Sequence, residues 1–394
     1  MRAIREEPGG TAPRGRGCPR DQVPVTGAWR PGDPYGRRKW FRSTHPLVLE
    51  SSGVMPEFHL AYETWGQLNG DASNAVLIEH AMTGDSHVAG HAGDGHPTAG
   101  WWNGIVGPGL AVDTTKYFVV VPNILGGCQG STGPASIARD GRPWGSRFPS
   151  ITIRDTVQAE VRLAEALGIR RWAAVIGGSM GGMRALEWAV AHPDKVARLL
   201  LLACSAATTA EQIAQGALQL AAVTGDAGWH GGDYYDAPAG HGPHRGLSLA
   251  RRIAQLSYRC EAELAQRFGR QANERENPLE GGRFAVESYL DHHANKLLRR
   301  FDAGSYVTLT RAKNTHDVGR GRGGTDAALA HITATTIVAS ITSDRLYLPS
   351  TVQALADGVS GCDGVSSIVS RHGHDGFLIE TAQVAVLVRR LLDG

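Results

Sequence analysis

A serine inside a glycine-rich turn is the residue of this chain with the most evident chemistry. Ser179 lies in the run G-G-S-M-G at 177–181, which matches the pattern G-x-S-x-G. An apolar, β-branched stretch at 172–176 precedes it, and a helix-forming segment at 183–190 follows. A strand, sharp turn and helix of this kind push the serine hydroxyl clear of the sheet, where a base and a substrate can reach it. By itself the pattern is also compatible with a glycine-rich turn that has no chemical role.

A serine needs a base, and the base needs an orienting carboxylate, before its hydroxyl becomes a useful nucleophile. The chain supplies both residue types after late strand-like runs. The run at 336–341 leads into Asp344, and the run at 365–369 leads into His374. Taken singly, Asp344 is typical of a turn cap and His374 of a surface loop. Their joint appearance in the order serine, aspartate, histidine favours a catalytic triad.

Two histidines compete for the role of the base, because His372 lies only two residues before His374. We prefer His374, since Gly373 and Gly376 bracket the His-Asp pair and allow a tight turn that aims the imidazole inward.

An acyl-transfer site also requires N–H donors for a developing oxyanion. The residue after the nucleophile, Met180, supplies one backbone N–H at the start of the following helix. The apolar run at 75–78 leads into a loop that contains Met82, whose backbone N–H is our second candidate. An ordinary turn at the end of a strand is the alternative interpretation of this loop.

The pattern of the remaining segments predicts an α/β fold with a mostly parallel sheet and helices on both faces. Helical spacing over 157–167, ended by Gly168, predicts one connecting helix, and a second amphipathic helix is predicted near the C-terminus. Between 205 and 325 strand-like runs disappear and helical segments replace them, which indicates a lid over the C-terminal edge of the sheet. The expected divisions are a disordered basic extension (1–43), a core in two parts (44–204 and 326–394) and a helical lid (205–325).

Composition narrows the function classes. The chain has 394 residues, of which 42% are hydrophobic and 20% charged, and a formal net charge of +2, which is typical of a globular protein without a nucleic-acid surface. No apolar stretch reaches the roughly 20 residues that a bilayer span needs, and the first forty residues lack the apolar segment of a secretory signal. Five widely spaced cysteines without C-x-x-C pairs indicate a reducing compartment.

Six ordered motifs together resemble the homoserine O-acetyltransferase family, α/β-hydrolase-fold enzymes of methionine biosynthesis. The resemblance runs from about residue 44 to the C-terminus and includes the lid. The motifs are HAMTGDSH (80–87), GWWNGIVGPG (100–109), NILGGCQGSTGPAS (123–136), GGSMGGMRALEWA (177–189), ITSDRLYLP (341–349) and GHDGFL (373–378).

This resemblance implies a set of functional residues. The family's triad falls on Ser179, Asp344 and His374, and its oxyanion position falls on Met82, where leucine is more usual. The lid segment GLSLARRIAQLSYR implies substrate contacts at Arg251 and Tyr258, with Gln255 where the family commonly has histidine. Asp375 corresponds to the aspartate that binds the homoserine amine. A guanidinium and a carboxylate suit the two charges of a zwitterionic amino acid.

The resemblance further implies a cytoplasmic homodimer formed through the lid, with acetyl-CoA as co-substrate, no separate cofactor, and neither nucleic-acid nor membrane partners. Homoserine or serine O-succinyltransfer and a serine esterase activity remain open alternatives. A scaffold that has lost its activity is a third possibility, which an intact triad disfavours.

Two further signals compete with this interpretation. His87, His91 and His96 are potential metal ligands, but the glycines among them favour a loop, and we expect no metal. The run 319–324 fits G-x-G-x-x-G without a preceding strand, so a dinucleotide site is not expected. Arg320 and Arg322 within it are candidates for coenzyme A phosphates or simply part of a solvated loop.

Overall fold

The computed structural model describes residues 23–394. Its centre is an eight-stranded sheet in the order β1-β4-β8-β5-β9-β10-β11-β12. The last six strands of this order are parallel, and β4 pairs antiparallel with both β1 and β8. The strands, including four short ones in two separate pairs, are β1 Lys39–Ser43, β2 Leu47–Val48, β3 Val54–Met55, β4 Phe58–Trp65, β5 Ala75–Glu79, β6 Val106–Gly107, β7 Val112–Asp113, β8 Phe118–Pro122, β9 Ala174–Gly178, β10 Arg198–Leu202, β11 Thr335–Ile341 and β12 Cys362–Ile368.

Helices cover both faces of this sheet. The helices of the described residues are α1 Ile153–Ala166, α2 Met180–Ala191, α3 Ala210–Thr224, α4 His244–Ser257, α5 Glu261–Arg267, α6 Ala285–Leu298, α7 Ala303–Asn314, α8 Thr325–Leu329, α9 Pro349–Asp357, α10 Gly376–Ile379 and α11 Thr381–Asp393. Those that contact the strands are α1, α2, α9 and α11. The α/β-hydrolase fold predicted from the sequence is therefore confirmed.

Burial on both faces explains the near-continuous apolar strands. Within β9, Val175 packs into one hydrophobic core and Ile176 into the other, and the two residues are fully buried. Successive side chains of a strand point to opposite faces, so a strand covered on both sides needs apolar residues at every position.

The predicted helix after Thr152 is present as α1 and begins with a reciprocal capping box. The Thr152 side chain accepts from the Asp155 backbone N–H, and the Asp155 carboxylate accepts from the Thr152 backbone N–H. Gly168, with a φ of 74°, follows the helix as expected for a left-handed terminating residue.

Six helices, α3 to α8, follow β10 before the chain returns to the sheet at β11. Helix α4 lies between α3 and α6 and contacts both. We propose that this helical block is the lid, as the sequence predicts.

The expected disorder through residue 43 is wrong for residues 23–43. Strand β1 pairs with β4, Arg38 is buried, and the Thr26 hydroxyl donates to Asp302 at 2.8 Å. Strand β1 has the sequence KWFRS, with one charged residue on each side of an aromatic pair, and an edge strand tolerates such a sequence because part of it stays exposed. The rest of the predicted extension, residues 1–22, lies outside the described residues.

Within residues 23–394, no helix combines the length and the apolar character needed to traverse a bilayer.

Candidate active site

Ser179 occupies the sharp turn between β9 and α2. Its φ of 57° and ψ of −126° are values that a non-glycine residue rarely adopts. A Cβ atom on Gly177 would collide with the Gly181 carbonyl, and one on Gly181 would collide with the Glu79 carbonyl. The two glycines of G-x-S-x-G therefore let α2 approach the sheet closely enough to hold the serine in this conformation.

Three side chains from separate loops meet at this turn. His374 Nε2 lies 2.8 Å from Ser179 Oγ, and His374 Nδ1 lies 2.7 Å from Asp344 Oδ2. The other Asp344 oxygen accepts from the backbone N–H groups of Leu346 and Tyr347 at 2.8 and 2.9 Å. Asp344 thus caps its own turn as well as contacting the imidazole. The arrangement favours an Nδ1–H tautomer whose free Nε2 can accept the serine proton.

The competing histidine lies elsewhere. His372 Nδ1 faces Glu263 at 3.5 Å, while His374 is buried on the 3-10 turn Gly373–Asp375. Gly373 has a φ of 61°, and a Cβ atom there would collide with the Tyr258 carbonyl. Only glycine therefore lets the chain turn His374 inward at this point.

The surroundings of His374 adjust its basicity. Burial alone would lower its pKa, but the charge of Asp344 and the hydrogen bond to it raise the pKa above the usual histidine value. Tyr347 stacks on the imidazole with ring centroids 5.2 Å apart, and Phe377 meets its edge at 5.5 Å. The ring is thus fixed in orientation and kept from solvent.

One candidate oxyanion donor follows Ser179 in the chain, and the other lines the cavity in front of it. Met180 is the first residue of α2, so its N–H has no acceptor within the helix. Met82 lies in the loop after β5 and lines the cavity in front of Ser179. His80 fixes this loop: it donates to the Ala81 carbonyl at 2.7 Å and accepts from the Ile124 N–H at 3.1 Å. Burial and the charge of Arg184 lower the pKa of His80 to about 3, which keeps it neutral for both bonds.

A cavity of about 410 Å³ opens in front of Ser179 and His374. Arg251, Tyr258 and Asp375, predicted as substrate contacts, all line it. The structure therefore brings every predicted site residue of the lid to the same space as the serine.

Comparison with known proteins places the chain in a family. The sequence model of the α/β hydrolase fold family matches residues 74–375 of this chain. Homoserine O-acetyltransferase from Thermobifida fusca is 63% identical over 370 residues, which cover 94% of this chain and 97% of that relative. The enzyme of the same name from Mycobacterium tuberculosis strain H37Ra is 54% identical and covers 88% of this chain and 91% of its own length. The chain belongs to the homoserine O-acetyltransferase family.

Solved structures agree with this membership. Homoserine O-acetyltransferase from Bacillus anthracis superposes with a TM-score of 0.82 at 26% identity, covering 91% of this chain and 97% of that one. Esterase E22 superposes equally well, with a TM-score of 0.82 at 27% identity over 90% of this chain and 99% of its own. The fold is thus shared by transferases and esterases, and the residues that line the cavity must separate the two activities.

The guanidinium of Arg251 is available to bind a carboxylate, and this availability is unusual for a buried guanidinium group. Its Nε and Nη1 atoms are buried without a hydrogen-bond partner among the described residues. Its guanidinium carbon lies 5.4 Å from the centre of the Tyr258 ring, which supports it from one side. Unsatisfied buried donors are costly, so a ligand with acceptor oxygens is expected to pair with them.

Asp375 has a partner that sequence reasoning missed. Arg259 Nη2 lies 3.0 Å from Asp375 Oδ2. Burial raises the pKa of Asp375, although Arg259, His374 and Arg251 oppose this shift. A carboxylate has lone pairs for more than one donor, so a ligand ammonium can share it with Arg259. Arg259 directly follows Tyr258, but nothing in the motif distinguishes it from a surface arginine.

Gln255, which replaces the family's common histidine, is fully buried and donates to the Tyr289 hydroxyl at 2.8 Å. It does not line the cavity. Its effect on the site is therefore indirect, through the packing of α4 against α6.

The glycine-rich run at 319–324 lies away from the cavity. Arg320 pairs with Glu50 at 2.8 Å and Arg322 pairs with Glu187 at 2.5 Å. Both guanidinium groups already have carboxylate partners, so the expectation that they meet coenzyme A phosphates is not supported. They also differ from a solvated loop, because these ion pairs attach the run to the core.

Two of the three histidines considered as metal ligands come together. His87, His96 and Glu63 are buried, with one candidate ligand atom from each within 4.8 Å of the others. The imidazole rings stack 3.8 Å apart, and Glu63 accepts from the Ser86 hydroxyl and contacts His87 Nδ1 at 3.1 Å. Two imidazoles and a carboxylate are a donor set that suits zinc. His91 contributes only its carbonyl, 3.3 Å from His87 Nε2, and the expected absence of a metal stays a prediction.

Proposed function

We propose that this protein transfers an acetyl group from acetyl-CoA to the hydroxyl of L-homoserine through an acetyl-Ser179 intermediate. The observation that carries the proposal is the Ser179–His374–Asp344 arrangement facing a cavity that Arg251 also lines, with two guanidinium nitrogens that have no hydrogen-bond partner in the described part of the chain. The names of relatives at 54–63% identity support the choice of substrates.

In the first half-reaction His374 Nε2 takes the Ser179 hydroxyl proton while the serine oxygen attacks the thioester carbonyl. The carbonyl oxygen becomes an oxyanion next to the backbone N–H groups of Met82 and Met180. The carbon–sulfur bond then breaks, and the proton on His374 passes to the departing thiolate. Acetyl-Ser179 remains.

The second half-reaction reverses these steps with a different nucleophile. His374 takes the proton of the homoserine hydroxyl, whose oxygen attacks the acyl carbon, and the bond to Ser179 breaks as the serine regains its proton. Arg251 holds the homoserine carboxylate and Asp375 the ammonium, with Tyr258 beside Arg251. Because both charges of homoserine are held, its hydroxyl is positioned at the acyl carbon, where it competes with water for the acetyl group.

The test separates transfer from hydrolysis. Release of coenzyme A from acetyl-CoA is measured with and without L-homoserine, and the protein incubated with labelled acetyl-CoA alone is digested to locate the label. We expect homoserine-dependent release and a label on Ser179. Homoserine-independent release would instead indicate an esterase, the second candidate, which the structural likeness to esterase E22 favours. Succinyl-CoA and serine, assayed in parallel, test the remaining alternatives.

We further infer that two copies associate through the lid. Leu218 on α3 is 62% exposed, and Leu249 and Leu256 on α4 are 50% and 48% exposed. The last two lie seven residues apart, on one face of their helix. Exposed leucines grouped on adjacent helices are typical of an interface. Light scattering of the protein and of a Leu218→Lys/Leu249→Lys variant tests this, with a monomeric wild-type protein contradicting it.

Cytoplasmic localisation is part of the same proposal. Its support is that Cys128, Cys204, Cys260 and Cys362 are all free thiols, as in proteins of reducing compartments.

A further inference from the structure

Beyond Arg251, the cavity is bordered by further cations that form no ion pair with any of residues 23–394. Lys296 and Arg300, at the C-terminal end of α6, line it together with Ser179. The ion pairs near α6 join Arg252 and Arg283 to Asp291, and no ion pair found within residues 23–394 includes Lys296, Arg299 or Arg300. Lys296 and Arg299 are exposed and Arg300 is half-buried, so an anion can reach all three.

Arg300 also lines a second cavity, of about 560 Å³, so this residue borders both cavities. Its Nη1 donates to the Thr83 carbonyl at 2.7 Å, which holds the guanidinium beside the oxyanion loop. Burial lowers the pKa of Arg300 even though the charge of Asp85 opposes the shift. A half-buried guanidinium with one carbonyl partner retains donors for an anion.

Part of the wall of the second cavity comes from residues that the sequence predicts as disordered. Trp29 and Arg30 line it together with Arg299. Gly27 N–H donates to the Phe301 carbonyl at 3.2 Å and thereby attaches this segment to the end of α6. A Cβ atom on Gly27 would collide with the backbone of Arg300, so the close contact requires glycine.

The charge of the second cavity and an aromatic side chain in its wall suit a phosphorylated nucleotide. The second cavity has three arginines, Arg30, Arg299 and Arg300, against two aspartates, Asp33 and Asp94. Guanidinium groups bind phosphate oxygens in paired hydrogen bonds. The partly exposed indole of Trp29 offers a surface on which a base can stack.

We propose that the coenzyme A portion of the acyl donor follows α6 away from Ser179, with its diphosphate at Lys296 and Arg300 and the phosphate of its nucleotide at Arg299 in the second cavity. This inference rests on the proposed function, because it assumes a coenzyme A thioester at Ser179. Arg251 and Asp375 then remain for the acceptor, and each substrate has its own charged group.

The test compares two donors. Acetyl-pantetheine has the same thioester as acetyl-CoA but no phosphate or nucleotide. We expect Lys296→Met/Arg299→Met to lower kcat/KM for acetyl-CoA at least about tenfold, because each lost cation removes a charge-assisted contact. The kcat/KM for acetyl-pantetheine should stay within about twofold of wild type. The matched control is Arg311→Met, which removes an exposed lid arginine that lines neither cavity.

Equal losses with both donors would overturn the proposal, since they would mean that the cations support the structure of α6. An unchanged kcat/KM for acetyl-CoA would overturn it as well. Adenosine 3′,5′-bisphosphate should inhibit competitively against acetyl-CoA and more weakly in the double variant. Failure of the proposed function is distinguishable, because the wild-type protein would then form no acyl-Ser179 with either donor or would release coenzyme A without homoserine.

Discussion

The core end and the lid end of the cavity differ in how their polar groups are satisfied. At the core end, which consists of Ser179, His374 and Asp344, each group has a partner within 2.7 to 2.9 Å. At the lid end, Arg251 has buried donors without partners among the described residues, and Lys296 forms no ion pair there.

The difference separates two tasks. A satisfied network holds its geometry before any substrate arrives, as proton transfer and oxyanion stabilisation require. Charged groups on a lid that have no protein partner can instead form hydrogen bonds with ligand oxygens when a substrate binds. Substitutions at the core end should therefore reduce chemistry, and substitutions at the lid end should reduce the use of one substrate at a time.

The largest effect is expected at the nucleophile. Ser179→Ala should lower kcat by about 10⁴-fold or more, because no acyl-enzyme can form. The thermal stability of the Ser179→Ala protein should equal or exceed that of the wild type, because the substitution removes only the hydroxyl and the flanking glycines still fix the turn. Steady-state rates and intact-protein mass spectrometry after acetyl-CoA addition provide the measurement. If the Ser179→Ala protein kept wild-type turnover, or if it still became acetylated, the core-end assignment would be contradicted.

Asp344→Asn should have the next largest effect, a fall of about 10³–10⁴-fold in kcat, because an amide favours the wrong imidazole tautomer. The fold should persist, since the asparagine oxygen can still accept from Leu346 and Tyr347. Circular dichroism checks the fold while single-turnover acylation checks the chemistry. An Asp344→Asn protein that acylates at the wild-type rate would show that His374 needs no orienting carboxylate.

At the lid end, Arg251→Met should lower kcat/KM for homoserine about 100-fold through the loss of two charge-assisted hydrogen bonds. Acyl-Ser179 formation from acetyl-CoA should be nearly unchanged. The control is Arg252→Met, which removes the neighbouring arginine that pairs with Asp291 at 2.5 Å. If Arg251→Met slowed acylation and transfer equally, the division between the two ends would be incorrect.

The smallest effect concerns pH. Asp344 raises the pKa of His374, and the base must be neutral, so kcat/KM for acetyl-CoA should rise with pH through a midpoint above the usual value of about 6.5. The same shift stabilises the fold below the unfolded pKa, and this stabilisation is lost as pH rises through the folded pKa. A pH–rate profile measures the midpoint, and a value below 6.5 would contradict the role of Asp344.

The core end was predictable because its determinants are local. The glycines around Ser179 impose a turn through short-range collisions, and the strands before Asp344 and His374 place both residues at the same edge of a parallel sheet. Recognition of the family's motifs then extended the prediction to Arg251, Tyr258 and Asp375.

Other features depended on segments far apart in the chain. Strand β1, with the sequence KWFRS, lacks the continuous apolar run of the central strands, and it forms because β4 pairs with it. The partnership of Arg259 with Asp375 joins residues more than 100 positions apart.

By itself, the sequence of this protein determined the nucleophile turn, the order of the triad and the α/β class, since glycine sterics and apolar periodicity act over a few residues. Only the tertiary structure decided which charges remain unpaired, and that residues 26–30 meet the end of α6 to enclose a second cavity. Whether a charge is satisfied depends on every group within a few ångströms of it, and those neighbours come from anywhere in the chain.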